Sequence, residues 1–308
     1  MSIWMKKLLT VLTVAFIAGC GGGDDPPGNV VQVAQSDSRF SILAEAIQTA
    51  GLTDTLAAPG PYTVFAPTNA AFSALLGELG ISKDQLFSNK ALLTAVLKYH
   101  VVAGQVNSSS VSLGKAINPV GGGYFKIDKT GSDLIITDGR NRKSKIVQAD
   151  IAASNGVIHA TDKVLLPADK TVVQTAIANP DFSILVEAVT AAGLADTLSA
   201  PGPFTVFAPT NAAFASLLTE LGLTKAQLLA NTALLTKVLT YHVVPGLVLK
   251  ADVPVNTPIK TVEGETFTVS PALAITDQRG RQANIVATDV LASNGVIHVL
   301  EKVILPAP

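Results

Sequence analysis

The chain has 308 residues, 48% of them hydrophobic and only 15% charged, with a formal net charge of −1. That length holds two domains with real cores, and so even a charge balance excludes a protein that grips nucleic acid through a basic field. A single cysteine, Cys20, excludes an intramolecular disulfide and a multi-cysteine metal site.

Residues 1–19 read as an export signal. Lys6 and Lys7 form a basic start, Leu8 to Ile17 is an apolar run too short to span a bilayer comfortably, and Ala18-Gly19 places small residues before Cys20. A cysteine at that point resembles the bacterial lipobox, which implies a lipidated Cys20 and cleavage just ahead of it. The alternative is a plain secretory peptide with an incidental cysteine. Residues 20–28, Gly-rich with Asp24-Asp25-Pro26-Pro27, read as a flexible tether. We expect an exported chain, lipid-anchored to the cell envelope and either periplasmic or surface-exposed. Gly21 at the second mature position places it in the outer membrane if the host is Gram-negative.

Downstream, Phe40, Leu43, Ala44 and Ile47 follow helical spacing, with Ser36 and Asp37 ahead as caps. Pro59-Gly60-Pro61 marks a turn before a short strand, Tyr62-Thr63-Val64-Phe65, which Pro67 stops. Thr68 caps a helix presenting Phe72, Leu75, Leu76 and Leu79. Ser82-Lys83-Asp84-Gln85 fits a capping box, and Leu92, Leu93, Val96 and Leu97 form one more helical face. Strand candidates follow at 124–128, 133–137, 145–149, 156–161 and 163–166. Helices first and strands second, within about 140 residues, predict an α+β domain with mainly antiparallel pairing.

The chain then says the same thing again. FSILAEAIQTAGLTDTLAAPGPYTVFAPTNAAF from Phe40 returns from Phe182 with 26 of 33 positions identical. Tyr99-His100 returns as Tyr241-His242, and Asn155-Gly156-Val157-Ile158-His159 as Asn294-Gly295-Val296-Ile297-His298. A repeat of this period is a duplicated domain rather than a solenoid unit. The copies run over 29–167 and 171–306, joined by Ala168-Asp169-Lys170, too short a link for independent tumbling. The offset falls from 142 to 139 along the copy, and the loop around Gly121-Gly122-Gly123 is where three residues are expected to be missing from the second.

Three motifs, each present twice, carry a family resemblance. Thr63-Val64-Phe65-Ala66-Pro67-Thr68-Asn69-Ala70-Ala71-Phe72 resembles the first signature box of the fasciclin, or FAS1, domain. Tyr99-His100 resembles its Tyr-His motif, and Asn155–His159 with Asp162–Pro167 its second box. The resemblance implies two tandem FAS1 domains, each a mainly antiparallel seven-stranded β-wedge with helices packed along one side. It also implies a non-enzymatic role in adhesion, through an undefined surface, matrix protein or glycan ligand. A glycan- or small-molecule-binding envelope lipoprotein is the rival reading, and an enzyme a third.

No cofactor, metal site or nucleotide-binding motif is implied. All four histidines, His100, His159, His242 and His298, fall at equivalent places among Val and Ile, which reads as buried and structural. In relatives the Tyr-His segment is tied to partner recognition, so Tyr99, His100, Tyr241 and His242 are candidate interaction residues by resemblance. Ser108, Ser109 and Ser110 read as a polar loop. Arg140, Arg142, Lys143 and Lys145 cluster around one hairpin turn and are candidates for an anionic polysaccharide or lipid head group. The second copy keeps Arg279 and Arg281 but has Gln282 and Asn284 at the other two positions. A partner is expected where the copies disagree.

Overall fold

The computed structural model describes residues 27–308, and each copy of the repeat builds one seven-stranded sheet with six α-helices. The first copy opens with α1 (Val30–Ser36), α2 (Ser41–Thr49), α3 (Thr53–Ala57), β1 (Tyr62–Pro67), α4 (Asn69–Leu79), α5 (Lys83–Ser88) and α6 (Lys90–Tyr99). It continues with β2 (Val101–Ala103), β3 (Ala116–Ile117), β4 (Phe125–Thr130), β5 (Asp133–Thr137), β6 (Lys143–Ala153) and β7 (Gly156–Thr161). The second copy opens with α7 (Val172–Ile177), α8 (Ser183–Ala191), α9 (Ala195–Ser199), β8 (Phe204–Pro209), α10 (Asn211–Leu221), α11 (Lys225–Ala230) and α12 (Thr232–Tyr241). It ends with β9 (Val243–Pro245), β10 (Ile259–Lys260), β11 (Thr266–Val269), β12 (Ala274–Thr276), β13 (Gln282–Ala292) and β14 (Gly295–Leu300).

The sheet order β2-β1-β7-β6-β5-β4-β3 recurs as β9-β8-β14-β13-β12-β11-β10. All neighbours are antiparallel except β1 with β7 and β8 with β14. The expected α+β class and mainly antiparallel wedge are what the chain forms. Helices α2, α4 and α6 bury Phe40, Leu43, Phe72, Leu75, Leu93 and Leu97 against one face of β1 and β7. Phe65, Tyr99, Phe125, Ile127, Ile136 and Leu165 fill the wedge on the other face.

Local signals start α4 and α5 where they were read, but the caps read at Ser36 and Asp37 do not start α2, which begins at Ser41 with no side-chain cap. Ser82 and Gln85 close a capping box, and Thr68 accepts the Ala71 amide. Asn69 does a different job: its side chain accepts the Ile42 amide and donates to Ser38 O and Ser41 Oγ, tying α4 to the start of α2. Ser36 belongs to α1, and Asp37 caps the short 3-10 turn before α2.

The central parallel pair explains the repeated Asn-Gly motif. Asn155 Nδ2 donates to Leu56 O at 2.8 Å and Ala58 O at 2.9 Å, while its Oδ1 accepts the Val30 amide at 2.9 Å. Asn294 repeats all three bonds. A Cβ on Gly156 would collide with the Tyr62 carbonyl, and one on Gly60 with the Asn155 carbonyl. Only glycine allows that backbone approach.

Two expectations are corrected. Segment 163–166 forms no strand, because the Leu165 and Leu166 amides go to His100 Nε2 (2.8 Å) and Asp138 Oδ2 (3.0 Å) instead of a ladder. The three missing residues come from the β4–β5 hairpin. The Gly121–Gly123 loop keeps its length, since Val120 N bonds Val101 O just as Val262 N bonds Val243 O. Ile127 pairs with Ile136 but Val269 with Ile275, so the shortening lies between those partners.

Candidate functional site

The Tyr-His segment ends α6 and enters β2, and its side chains turn inward. Tyr99 and His100 are 1% and 2% exposed, Tyr241 and His242 0% and 2%. Tyr99 Oη donates to Tyr124 O (2.7 Å) and Tyr241 Oη to Thr266 O (2.8 Å). His100 Nδ1–H donates to Val96 O at 2.7 Å while Nε2 accepts the Leu165 amide. His242 repeats this with Val238 O (2.7 Å) and the Ile304 amide (3.2 Å). Burial pushes both imidazoles down to about 4, so they are neutral. As candidate interaction residues these four are therefore relocated: they are interior groups with every polar atom engaged, and they present nothing to a partner.

His159 and His298 brace a bulge. The register of β6 shifts between Gln148 and Ile151, and Asp150 there takes φ 58°. His159 Nδ1 accepts the Asp150 amide (3.2 Å) and Nε2–H donates to Val106 O (2.9 Å). His298 does the same with Asp289 and Val248. Among the described residues, no cluster of three or more His, Cys, Asp or Glu is placed to hold a metal ion.

The basic hairpin is largely neutralised in place. Arg140 pairs with Asp169 of the link (3.2 Å), Arg142 with Glu78 of α4 (3.1 Å), and Lys145 with Asp133 (2.8 Å). Lys143 Nζ donates to Thr137 Oγ1 at 2.6 Å and has no carboxylate partner among the described residues.

Between those cations lies a residue the sequence reading passed over. Asn141, at φ 62°, reaches the second copy: its Nδ2 donates to Leu291 O (3.0 Å) and its Oδ1 accepts the Leu291 amide (2.7 Å). One side-chain amide thus pairs with β13 as a neighbouring strand would. Beside it, Tyr124 Oη donates to Ala292 O at 2.7 Å and contacts Gly295 O. Lys126 Nζ meets Asp289 Oδ2 at 2.7 Å, Lys115 meets Asp252 at 3.1 Å, and Ala116 and Tyr124 pack on Leu247, Leu249, Leu291 and Val296.

The repeat itself was the missed signal. Tyr124, Lys126 and Asn141 correspond to Thr266, Thr268 and Gly280, so the second copy lacks this docking edge. Leu247, Leu249 and Leu291 correspond to Gln105, Asn107 and Ala152, so the first copy lacks the receiving face. There Ser108 satisfies both carboxylate oxygens of Asp150 through its amide and hydroxyl. In the second copy Lys250 stands at that position and supplies only its amide to Asp289, leaving Oδ2 for Lys126. Much of what distinguishes the copies is spent on joining them.

Residues 1–19, read as an export signal, and Cys20 lie outside the described residues. Among the latter, no helix is long and apolar enough to cross a membrane.

Comparison with known proteins places these features. A model of the fasciclin domain family matches residues 38–167 and 180–306. Protein sll1483 of Synechocystis sp. is 45% identical over 150 residues, covering 48% of this chain and 77% of that protein. Transforming growth factor-beta-induced protein ig-h3 of Oryctolagus cuniculus is 30% identical over 250 residues, covering 80% of this chain but only 35% of that protein. The chain therefore spans most of the first relative and about a third of the second. A solved FAS1 domain pair from the insect cell adhesion molecule fasciclin I aligns over 87% of this chain and 97% of its own, at 19% identity and a TM-score of 0.44.

Proposed function

The chain belongs to the fasciclin domain family, and on that premise we propose that it is a non-enzymatic envelope lipoprotein acting in adhesion or in contacts with matrix or envelope glycans. The observation that carries this reading is the docked pair. Two similar domains, held by the Lys126–Asp289 and Asn141–Leu291 contacts, offer a surface two related faces at fixed spacing. Fixed spacing raises effective concentration without a strong single site. The histidines support the non-enzymatic part, since each has both ring nitrogens engaged by the backbone. The lipobox-like Ala18-Gly19-Cys20 supports the anchor.

The test compares the full chain with a form starting at Gly28. The shorter form is expected to bind cell surfaces, matrix or envelope glycans, and the full chain to partition into membranes unless Cys20 is changed to Ser. A shorter form without affinity for any of these surfaces sinks the reading.

A further inference from the structure

In the second copy α10, α11 and α12 enclose an apolar pocket of about 270 Å³. Phe214 and Leu217 of α10, Leu228 of α11, Leu235 and Val238 of α12, and Leu305 form its walls, and Arg279 is the one charged side chain that lines it. Apolar walls with a single placed polar group are the usual form of a small-molecule site. The void forfeits packing contacts that a hydrocarbon tail would supply. At about 30 Å³ for each water-sized group, the space takes roughly nine methylenes, hence one chain and not the two of a diacyl lipid.

Arg279 is exposed, and its Nε donates to Pro306 O at 2.9 Å, which fixes the guanidinium against the pocket wall. Its Nη1 and Nη2 have neither a hydrogen-bond acceptor nor a carboxylate partner among the described residues, so both donors stay open to a ligand. The first copy builds the same pocket without either feature. Phe72, Leu75, Leu86, Leu93, Val96 and Leu166 line a space of about 90 Å³. There α5 buries Phe87 beside Leu86, where α11 has Leu229, so less side-chain volume fills the space under α11. Arg140 lines the smaller pocket, but its Nη2 is paired with Asp169 at 3.2 Å. Room for a tail and a free guanidinium occur together only in the second copy.

We propose that this pocket binds one medium-chain fatty acid. The tail lies among the leucines of α10, α11 and α12, and the carboxylate takes the Nη1 and Nη2 donors of Arg279. A guanidinium fork matches a planar carboxylate in two parallel hydrogen bonds. Asp277 Oδ1 already accepts the Arg279 amide at 3.0 Å, so a dianionic head group would meet a negative charge close by. The site is separate from the adhesion reading, and either can fail without the other.

Titration calorimetry of decanoate into the full chain carrying Cys20→Ser, where no acyl group on Cys20 competes, tests it. Decanol, decyl phosphate and acetate are run alongside. Decanoate should bind saturably, decanol and decyl phosphate more weakly, and acetate not at all. Arg279→Gln should weaken decanoate by roughly tenfold or more, the scale of a charge-assisted contact, and leave decanol unchanged. Arg140→Gln, the counterpart in the first copy, should change neither. Arg279 is exposed, so its variant keeps the fold and a melting curve verifies this. On adding decanoate, the methyl resonances of Leu217, Leu228 and Leu235 should shift and those of Leu75, Leu86 and Leu93 should not. No saturable decanoate binding, decanol or decyl phosphate bound as tightly, indifference to Arg279→Gln, or shifts at the first copy's leucines instead, each overturns the proposal.

Discussion

Lys126 of the first copy meets Asp289 of the second at 2.7 Å, with 11% and 2% of their side chains exposed. Burial pulls the lysine pKa down, but the hydrogen bonds and charges of Asp289 and Asp128 outweigh it and leave the ammonium firmly protonated. Asp289 in turn owes its position to the bulge that His298 braces. One interaction between domains is thus built on a histidine deep inside one of them.

Removing one partner of a buried ion pair strands the other, at a cost of about 3–5 kcal/mol. Lys126→Met should uncouple the copies, splitting a single calorimetric transition into two. Asp289→Asn on that background keeps the Lys250 amide bond and tolerates φ 60°, so it should restore part of the loss. A lone Lys126→Met that melts like the parent chain would show that the pair contributes nothing.

Asn141→Gly copies the residue of the second copy and accepts φ 62° without strain. It deletes only the two bonds to Leu291, worth about 1 kcal/mol each. Hydrogen exchange at the Leu291 amide should accelerate, while exchange in β1 and β7 stays unchanged.

His100 and His242 make folding pH-dependent. Their folded pKa values lie at about 4, below the usual 6.5, because burial disfavours the charged ring. Above pH 6.5 both states are neutral and stability is full. As pH falls from 6.5 towards 4, the unfolded chain takes up protons that the folded chain refuses. The loss approaches roughly 3 kcal/mol per histidine. Urea midpoints should drop over that window, and His100→Gln should flatten the slope; a flat profile from pH 7 to 4 contradicts the burial argument.

Two glycines separate crowding from conformational freedom. Gly156→Ala drives a Cβ into the Tyr62 carbonyl across the parallel pair and should prevent a stable first sheet, seen as lost near-native circular dichroism. Gly77→Ala, mid-helix in α4 with nothing near the new Cβ, should stabilise by about 0.5–1 kcal/mol. Equal effects at the two positions would refute the close-approach account.

The starts of α4 and α5 were legible because their signals are local: Ser82 with Gln85, and Thr68 ahead of Phe72, act within one turn. The buried histidines were legible from their apolar neighbours. The role of Asn155, which joins α1, the end of α3 and the central strands, was not, because its partners lie up to 125 positions away. Nor was the coil over 163–166, where side chains of His100 and Asp138 take the amides that a strand would use. For Tyr99 and His100, the resemblance pointed outward and the packing points inward.

By itself the sequence determined that one α+β domain occurs twice, where α4 and α5 begin and which residues are apolar enough to make two cores. These follow from periodicity, capping and identity between copies, all carried by short stretches of chain. Only the tertiary structure decided what the differences between the copies are for. Lys126, Asn141 and Tyr124 are unremarkable as sequence, and they acquire meaning when β13 and β14 of the second copy are brought against them. Docking depends on which groups end up buried together, and burial is a property of the folded chain rather than of any segment in it.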